Sequence, residues 1–177
     1  MQTRLVVTFA GPDRPDLLQR LLPLIAQNRC QLHDSRLIAL GSEFTGCLMI
    51  LGSWDRLARL ETALNALSSE LGLALTLQRA EGEPPHDSWL PYVVDAIGLA
   101  SQDVAGALTR FFLQHEIRVR ELSTQCYTPA RSSEPLMSLR ALVDVPSDLH
   151  IAHLKNAFFD LCDSMNLDAA LDPDRGS

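Results

Sequence analysis

The chain has 177 residues, a net charge of -7 and 46% hydrophobic residues. That length suits one domain or two small ones, and the apolar share is that of an ordinary globular protein. The acidic balance argues against a duplex-DNA binder, which needs a basic surface to neutralise phosphates. No apolar run approaches the roughly 20 residues that a membrane span needs.

Leu5, Val7 and Phe9 alternate along residues 3–10, which predicts a half-buried strand. Gly11-Pro12-Asp13-Arg14-Pro15-Asp16 then breaks the chain. Pro15 suits the first turn of a following helix and Asp16 its positive end. Leu17, Leu18, Leu21, Leu22 and Ile25 make one apolar helical face. Strands are predicted at about 31–40 and 44–51, joined by a tight hairpin around Gly41-Ser42. A second helix starts near Asp55 with Leu57, Leu60, Leu64, Leu67 and Leu71 on one stripe, and Gly72 stops it. Leu73, Leu75 and Leu77 alternate as a last strand.

The polar, proline-containing stretch 81–88 reads as a linker between a domain at 1–80 and a second at 89–172. The second half predicts a strand at about 90–97, a helix at 103–115, strands at 118–127 and 136–145, a helix at 148–164 and a strand at 167–171. The order βαββαβ thus occurs twice, and so does the sequence. Sliding the chain so that Val6 lies on Val93 lays Gly11 on Gly98, Asp16 on Asp103, Leu21 on Leu108 and Gln27 on Gln114. The second hairpin, Thr128 to Pro135, is longer. Beyond it Leu60, Leu64, Leu67 and Leu71 fall on Leu154, Phe158, Leu161 and Met165. A repeated unit usually presents two related sites or one pseudo-symmetric surface. Two amphipathic helices bury their faces by lying together on one side of a four-stranded, mostly antiparallel sheet. The expected fold is therefore α+β, two tandem ferredoxin-like units.

The Gly11 turn is the best site candidate. Glycine lets the backbone turn sharply and approach a ligand, and the N–H groups of the following helix suit a carboxylate. Asp13 and Asp16 suit an ammonium group, and Arg14 suits either a ligand carboxylate or one of those aspartates. The competing reading is a strand-to-helix connection with no ligand. The second copy keeps Gly98 and Asp103 but lacks counterparts of Asp13, Arg14 and Pro15, and Ser101 reads as its helix cap. His150 and His153, three apart, read as surface residues more readily than as metal ligands, so no metal or other cofactor is expected. The four cysteines, Cys30, Cys47, Cys126 and Cys162, have no paired spacing. They read as reduced, partly buried thiols, and Cys30, Cys47 and His33 read as buried structural residues rather than a nucleophilic pair. Asp34-Ser35-Arg36 interrupts its strand as a buried polar cluster, an interface or a solvated face. Met1-Gln2-Thr3-Arg4 leads straight into a strand with no signal-peptide pattern, so the expected location is the cytoplasm.

The βαββαβ unit with Gly11-Pro12-Asp13-Arg14-Pro15 at its first turn resembles the ACT domain, a small regulatory module. Further segments carry a resemblance of nearly the whole chain to the glycine cleavage system transcriptional repressor family, which is two ACT domains in tandem. They are Asp34-Ser35-Arg36-Leu37, Gly41-Ser42-Glu43-Phe44-Thr45-Gly46, Leu122-Ser123-Thr124-Gln125 and Pro135-Leu136-Met137. The resemblance implies a non-enzymatic cytoplasmic regulator with no membrane and no direct nucleic-acid contact, and the acidic charge and sheet edges are compatible with a monomer or a homo-oligomer. It implies a small amino acid, glycine, as ligand. It also implies a DNA-binding transcriptional activator as the protein partner through which the glycine cleavage operon is negatively regulated. ACT domains commonly bind amino acids at the turn between first strand and first helix. By position that points to Gly11, Pro12, Asp13, Arg14 and Asp16, with Gly98, Ser101 and Asp103 as the weaker copy. The alternative is an ACT-type small-molecule-binding module that regulates a metabolic enzyme.

Overall fold

A computed structural model describes residues 3–80, 88–100, 103–130 and 133–174. The chain divides into two compact units, Met1–Glu83 and Pro84–Ser177. The first holds β1 (Thr3–Pro12), α1 (Leu17–Gln27), β2 (Gln31–Leu40), β3 (Glu43–Gly52), α2 (Trp54–Leu71) and β4 (Ala74–Ala80). The second holds β5 (Trp89–Leu99), α3 (Val104–Gln114), β6 (Arg118–Tyr127), β7 (Leu136–Pro146), α4 (Ile151–Ser164) and β8 (Asp168–Pro173). The expected linker 81–88 lies outside the described residues except for Ser88.

Both units have one topology. The antiparallel sheets run β2-β3-β1-β4 and β6-β7-β5-β8, so each first strand sits between its third and fourth. The repetition extends to details that periodicity does not reveal. Edge strand β2 has a bulge between Leu32 and Asp34, and β6 has one at the aligned positions, Val119 and Glu121. All four helices end on a left-handed residue: Arg29, Gly72, Glu116 and Asn166. The next N–H in each case returns to a carbonyl of the last turn: Cys30 to Ile25, Leu73 to Ser68, Ile117 to Phe112 and Leu167 to Cys162, at 2.9–3.0 Å. This closes the helix ends by satisfying carbonyls that have no helical donor.

Each unit has its own core. Leu5, Val7 and Phe9 of β1 and Leu48 and Ile50 of β3 meet Leu17, Leu21 and Ile25 of α1 and the leucine stripe of α2. In the second unit Val94, Ala96, Leu139, Ala141 and Val143 meet Leu108, Phe111, Phe112, Leu154 and Phe158. Both helices of a unit thus bury against the same sheet face, as the amphipathic patterns require. A fully buried leucine contributes on the order of 1.5–3 kcal/mol by leaving water. Among the described residues no helix is long and apolar enough to cross a membrane.

Three boundaries differ from the sequence expectation. β1 continues through Gly11 and Pro12, because these pair with Phe44 and Glu43 across the sheet. α4 starts at Ile151 rather than 148, because Pro146–Leu149 forms a turn in which the Leu149 N–H donates to the Pro146 carbonyl. Pro15 lies outside α1. It occupies the second position of a turn closed by the Leu17 N–H on the Arg14 carbonyl at 3.1 Å, where its fixed φ is equally suited.

Candidate functional site

The first-unit turn is held at both ends by backbone. The Asp13 N–H donates to the Ser42 carbonyl at 2.9 Å, tying the turn to the β2–β3 hairpin. The Asp16 carbonyl accepts from the Arg20 N–H at 3.1 Å and begins α1. Between these anchors Pro12, Asp13 and Arg14 are exposed and Asp16 is half-buried.

Gly11 has a different role from the one its type suggests. It is buried inside β1, its φ is not in the left-handed region, and no sharp turn occurs there. A Cβ at Gly11 would stand 2.6 Å from Leu73 Cδ2, 3.3 Å from Leu73 Cα and 3.4 Å from the Gly72 carbonyl oxygen. Glycine is required because the chain leaving α2 packs onto the strand.

The charges of the turn are partly used. Arg14 Nε donates to Asp16 Oδ1 at 3.1 Å and Arg14 Nη2 to Oδ2 at 3.4 Å. Arg20 stands 3.8 Å from the other side of Asp16 and donates to Glu70 of α2. The Arg14 hydrogen bond holds the Asp16 carboxyl below its ordinary range, the Arg20 hydrogen bond does the same for Glu70, and Glu70 raises Arg20. Arg14, Asp16, Arg20 and Glu70 form one ionic chain from the turn across α1 to α2. Asp16 is therefore engaged by Arg14 and Arg20, and its carboxylate makes no cap bond to the helix. Asp13 is left as the carboxylate with no ion pair among the described residues, and Arg14 beside it is exposed. One anion and one cationic edge, two positions from the strand end, can hold an ammonium and a carboxylate.

The second unit does not repeat this arrangement. Gly98 is buried in β5 opposite Met137, and the Ala100 N–H donates to the Pro135 carbonyl at 2.9 Å. Ser101 lies outside the described residues. The helix cap is Asp103, whose Oδ1 accepts from the Gly106 N–H at 3.0 Å while Oδ2 accepts from Arg110 at 3.1 Å. Gly106 permits this approach, since a Cβ there would lie 2.3 Å from the carboxylate. Asp103 is a structural residue, and the turn offers no second acid beside it among the described residues.

Other sequence candidates fall apart in space or lie in solvent. Cys47 and Cys126 are exposed rather than partly buried: Cys47 lies on the sheet face away from the helices, opposite Thr8, and Cys126 lies near the end of edge strand β6. Cys162 is buried, and desolvation pushes its thiol up to about 11. Burial also raises Cys30, whose Sγ–H points at the Asn28 carbonyl. His33 is exposed at the β2 bulge rather than buried. Asp34 and Arg36 pair at 2.7 Å on the open face of the first sheet and are exposed, so the segment is not a buried polar cluster. His150 and His153 are exposed with ring centroids 4.6 Å apart. The signals missed in the sequence were Arg20 and Glu70, which bind the turn to both helices. Their roles depend on helix packing and leave no local pattern.

The ACT domain family model matches residues 3–78. The glycine cleavage system transcriptional repressor of Escherichia coli (strain K12) is 26% identical over 175 residues, which cover 96% of this chain and 90% of that protein. The protein of the same name from Shigella flexneri gives the same figures. A crystal structure of an unknown protein from Galdieria sulphuraria superposes with a TM-score of 0.80 at 19% identity, over 98% of this chain and 99% of that one. A protein provisionally named a glycine cleavage system transcriptional repressor superposes with a TM-score of 0.72 at 25% identity, over 97% of each chain.

Proposed function

We propose that this chain, whose first unit matches the ACT domain family model and which is similar over nearly its whole length to the glycine cleavage system transcriptional repressor, is an amino-acid-responsive regulator of that tandem ACT-domain family. Its ligand is a small amino acid, glycine, and it acts in the cytoplasm through a protein partner. That partner is a DNA-binding activator whose action on the glycine cleavage operon it opposes. The observation that carries this reading is the first-unit turn, where Asp13 has no ion-pair partner among the described residues and stands beside the exposed Arg14. The ligand ammonium meets Asp13 and its carboxylate meets Arg14, with Gly11, Pro12 and Asp16 shaping the turn. Glycine fits because the exposed turn gives a larger side chain nothing apolar to bury. At the aligned second turn, with Gly98, Ser101 and Asp103, Asp103 is engaged in capping α3, so the first turn carries the ligand reading.

A carboxylate arriving at Arg14 competes with Asp16 for the guanidinium and so acts on the ionic chain to Arg20 and Glu70. The helix face of the unit then has two states. The ligand shifts their populations only by its affinity difference between them. The partner reads one state better than the other.

The test is capture of partners by the full chain in cells with and without added glycine. Recovery of a DNA-binding regulator whose yield changes with glycine supports the reading. A metabolic enzyme in its place favours a module that regulates an enzyme.

A further inference from the structure

Asp144 of β7 is the one charged residue that is buried among the described residues, at 5% exposure. Its partner there is Arg120, whose Nη1 stands 3.7 Å from Oδ1, beyond hydrogen-bond reach. A charge taken out of water without a hydrogen bond is costly, so its presence calls for a reason. We infer that Asp144, Arg120, Trp89 and Pro91 form a second ligand site, for a small amino acid with an apolar side chain. The site lies where β5 begins, at the other end of that strand from Gly98, and does not require the first-unit turn.

The repeat shows that the fold itself does not ask for the acid. The slide that lays Val6 on Val93 also lays Arg4 on Pro91 and Gln31 on Arg118. In the first sheet Leu51 stands between Arg4 and Gln31, and in the second Asp144 stands between Pro91 and Arg118. A half-buried leucine thus serves at the matching position. The bulge residue differs too, being His33 in β2 and Arg120 in β6. A bulge leaves its extra residue outside the ladder and re-aims its side chain, which is how Arg120 comes beside Asp144. The second unit has gathered an acid and two arginines where its sister has a leucine, a glutamine and a histidine.

Asp144 and Arg120 open onto a cavity of about 230 Å³ that Trp89 and Pro91 complete. Trp89 and Pro91 are two apart on β5 and so share a sheet face. The volume lies below the range of about 300 Å³ and upward typical of larger ligands.

Charge sets the class of ligand. The acid calls for a donor, which an ammonium supplies. Arg118 and Arg120 outweigh the single acid, and neither guanidinium donates a hydrogen bond to protein among the described residues. A plain cation would add to that excess, whereas a zwitterion leaves it unchanged and brings the arginines a carboxylate. The indole and the proline ring give the ligand side chain an apolar wall.

The experiment follows the Trp89 indole N–H resonance of the isotope-labelled full chain. The titrants are leucine and, for comparison, glycine, isovalerate and isoamylamine. Trp54→Phe assigns the resonance, since the chain has two tryptophans. Leucine should move the Trp89 signal saturably, and glycine should bind about tenfold more weakly, because it buries no side chain on the indole. Isovalerate and isoamylamine each lack one charged group and should bind at least about tenfold more weakly as well. Leucine affinity should fall at least about tenfold in Asp144→Leu, which installs the residue of the first unit. Asp144→Asn, of equal size, should show the same loss and keeps the test available if the leucine variant misfolds. Arg120→Met should weaken binding, and Asp13→Ala should leave it unchanged. No saturable shift with leucine, unchanged affinity in Asp144→Asn, or isovalerate or isoamylamine bound as tightly as leucine would overturn the inference. Leucine shifts that vanish in Asp13→Ala would also overturn it, by assigning the binding to the turn. Leucine shifts at Trp89 with a turn silent to glycine would support this site and count against the turn reading alone.

Discussion

Replacing Gly11 by alanine tests whether that glycine is held by packing rather than by a turn. The new Cβ meets the movable end of Leu73 at 2.6 Å and two backbone atoms at 3.3 and 3.4 Å. Leu73 can rotate its Cδ2 away, but the backbone atoms can give only by shifting the start of β4. Overpacking of this kind costs about 1–3 kcal/mol. Against it stands a gain of about 0.4–1 kcal/mol, because alanine restricts the unfolded chain and the native φ is open to it. The net is a destabilisation of up to about 2.6 kcal/mol, read from urea unfolding of both proteins. Leu73→Ala made alone removes a half-buried contact. Made together with Gly11→Ala it relieves the clash, so the double variant should be about 1 kcal/mol more stable than the two single losses added. If Gly11→Ala were more stable than the parent, or if the two changes were additive, the packing account of Gly11 would be wrong.

The two aligned aspartates should behave differently. Asp103→Ala removes the cap of α3 and should cost about 1 kcal/mol, whereas Asp16→Ala loses no cap bond and should cost less in the same unfolding assay. Asp16 and Glu70 are held below their ordinary carboxylate range by Arg14 and Arg20. Their contribution is complete above that range and disappears as pH falls through the lowered values, below about pH 4. An Asp16→Asn, Glu70→Gln double variant should therefore show a flatter fall in stability between about pH 5 and 3. With iodoacetamide at pH 8, Cys47 and Cys126 should alkylate in the native protein, while Cys162, buried and with its thiol raised to about 11, should label only after unfolding. Peptide mass mapping distinguishes the four sites.

Alternation in β1, leucine spacing in α2 and the glycine after it made the elements readable, because burial against one layer writes itself into local periodicity. The repeat supplied the architecture. Arg29 and Glu116 were not readable as left-handed helix stops, since of the four only Gly72 and Asn166 have residue types that favour that conformation. The paired bulges leave no mark either, because a bulge is a relation between strands. At the candidate site Asp13 and Arg14 were found as a charged turn. The sequence could not tell which aspartate Arg14 holds, nor that Asp103 rather than Ser101 is the residue that caps α3. Those outcomes depend on side-chain reach across a turn. Gly11 illustrates the limit best, since the contact that demands it comes from Leu73, far along the chain.

Calorimetric titration of the full chain with glycine, with alanine and serine as comparisons and Asp13→Ala as the variant, tests the central claim most directly. The account predicts saturable binding that favours glycine and is lost or at least about tenfold weaker in Asp13→Ala, whose native spectrum is unchanged. Glycine binding of equal strength in the variant, or no binding of any of the three amino acids, would contradict it.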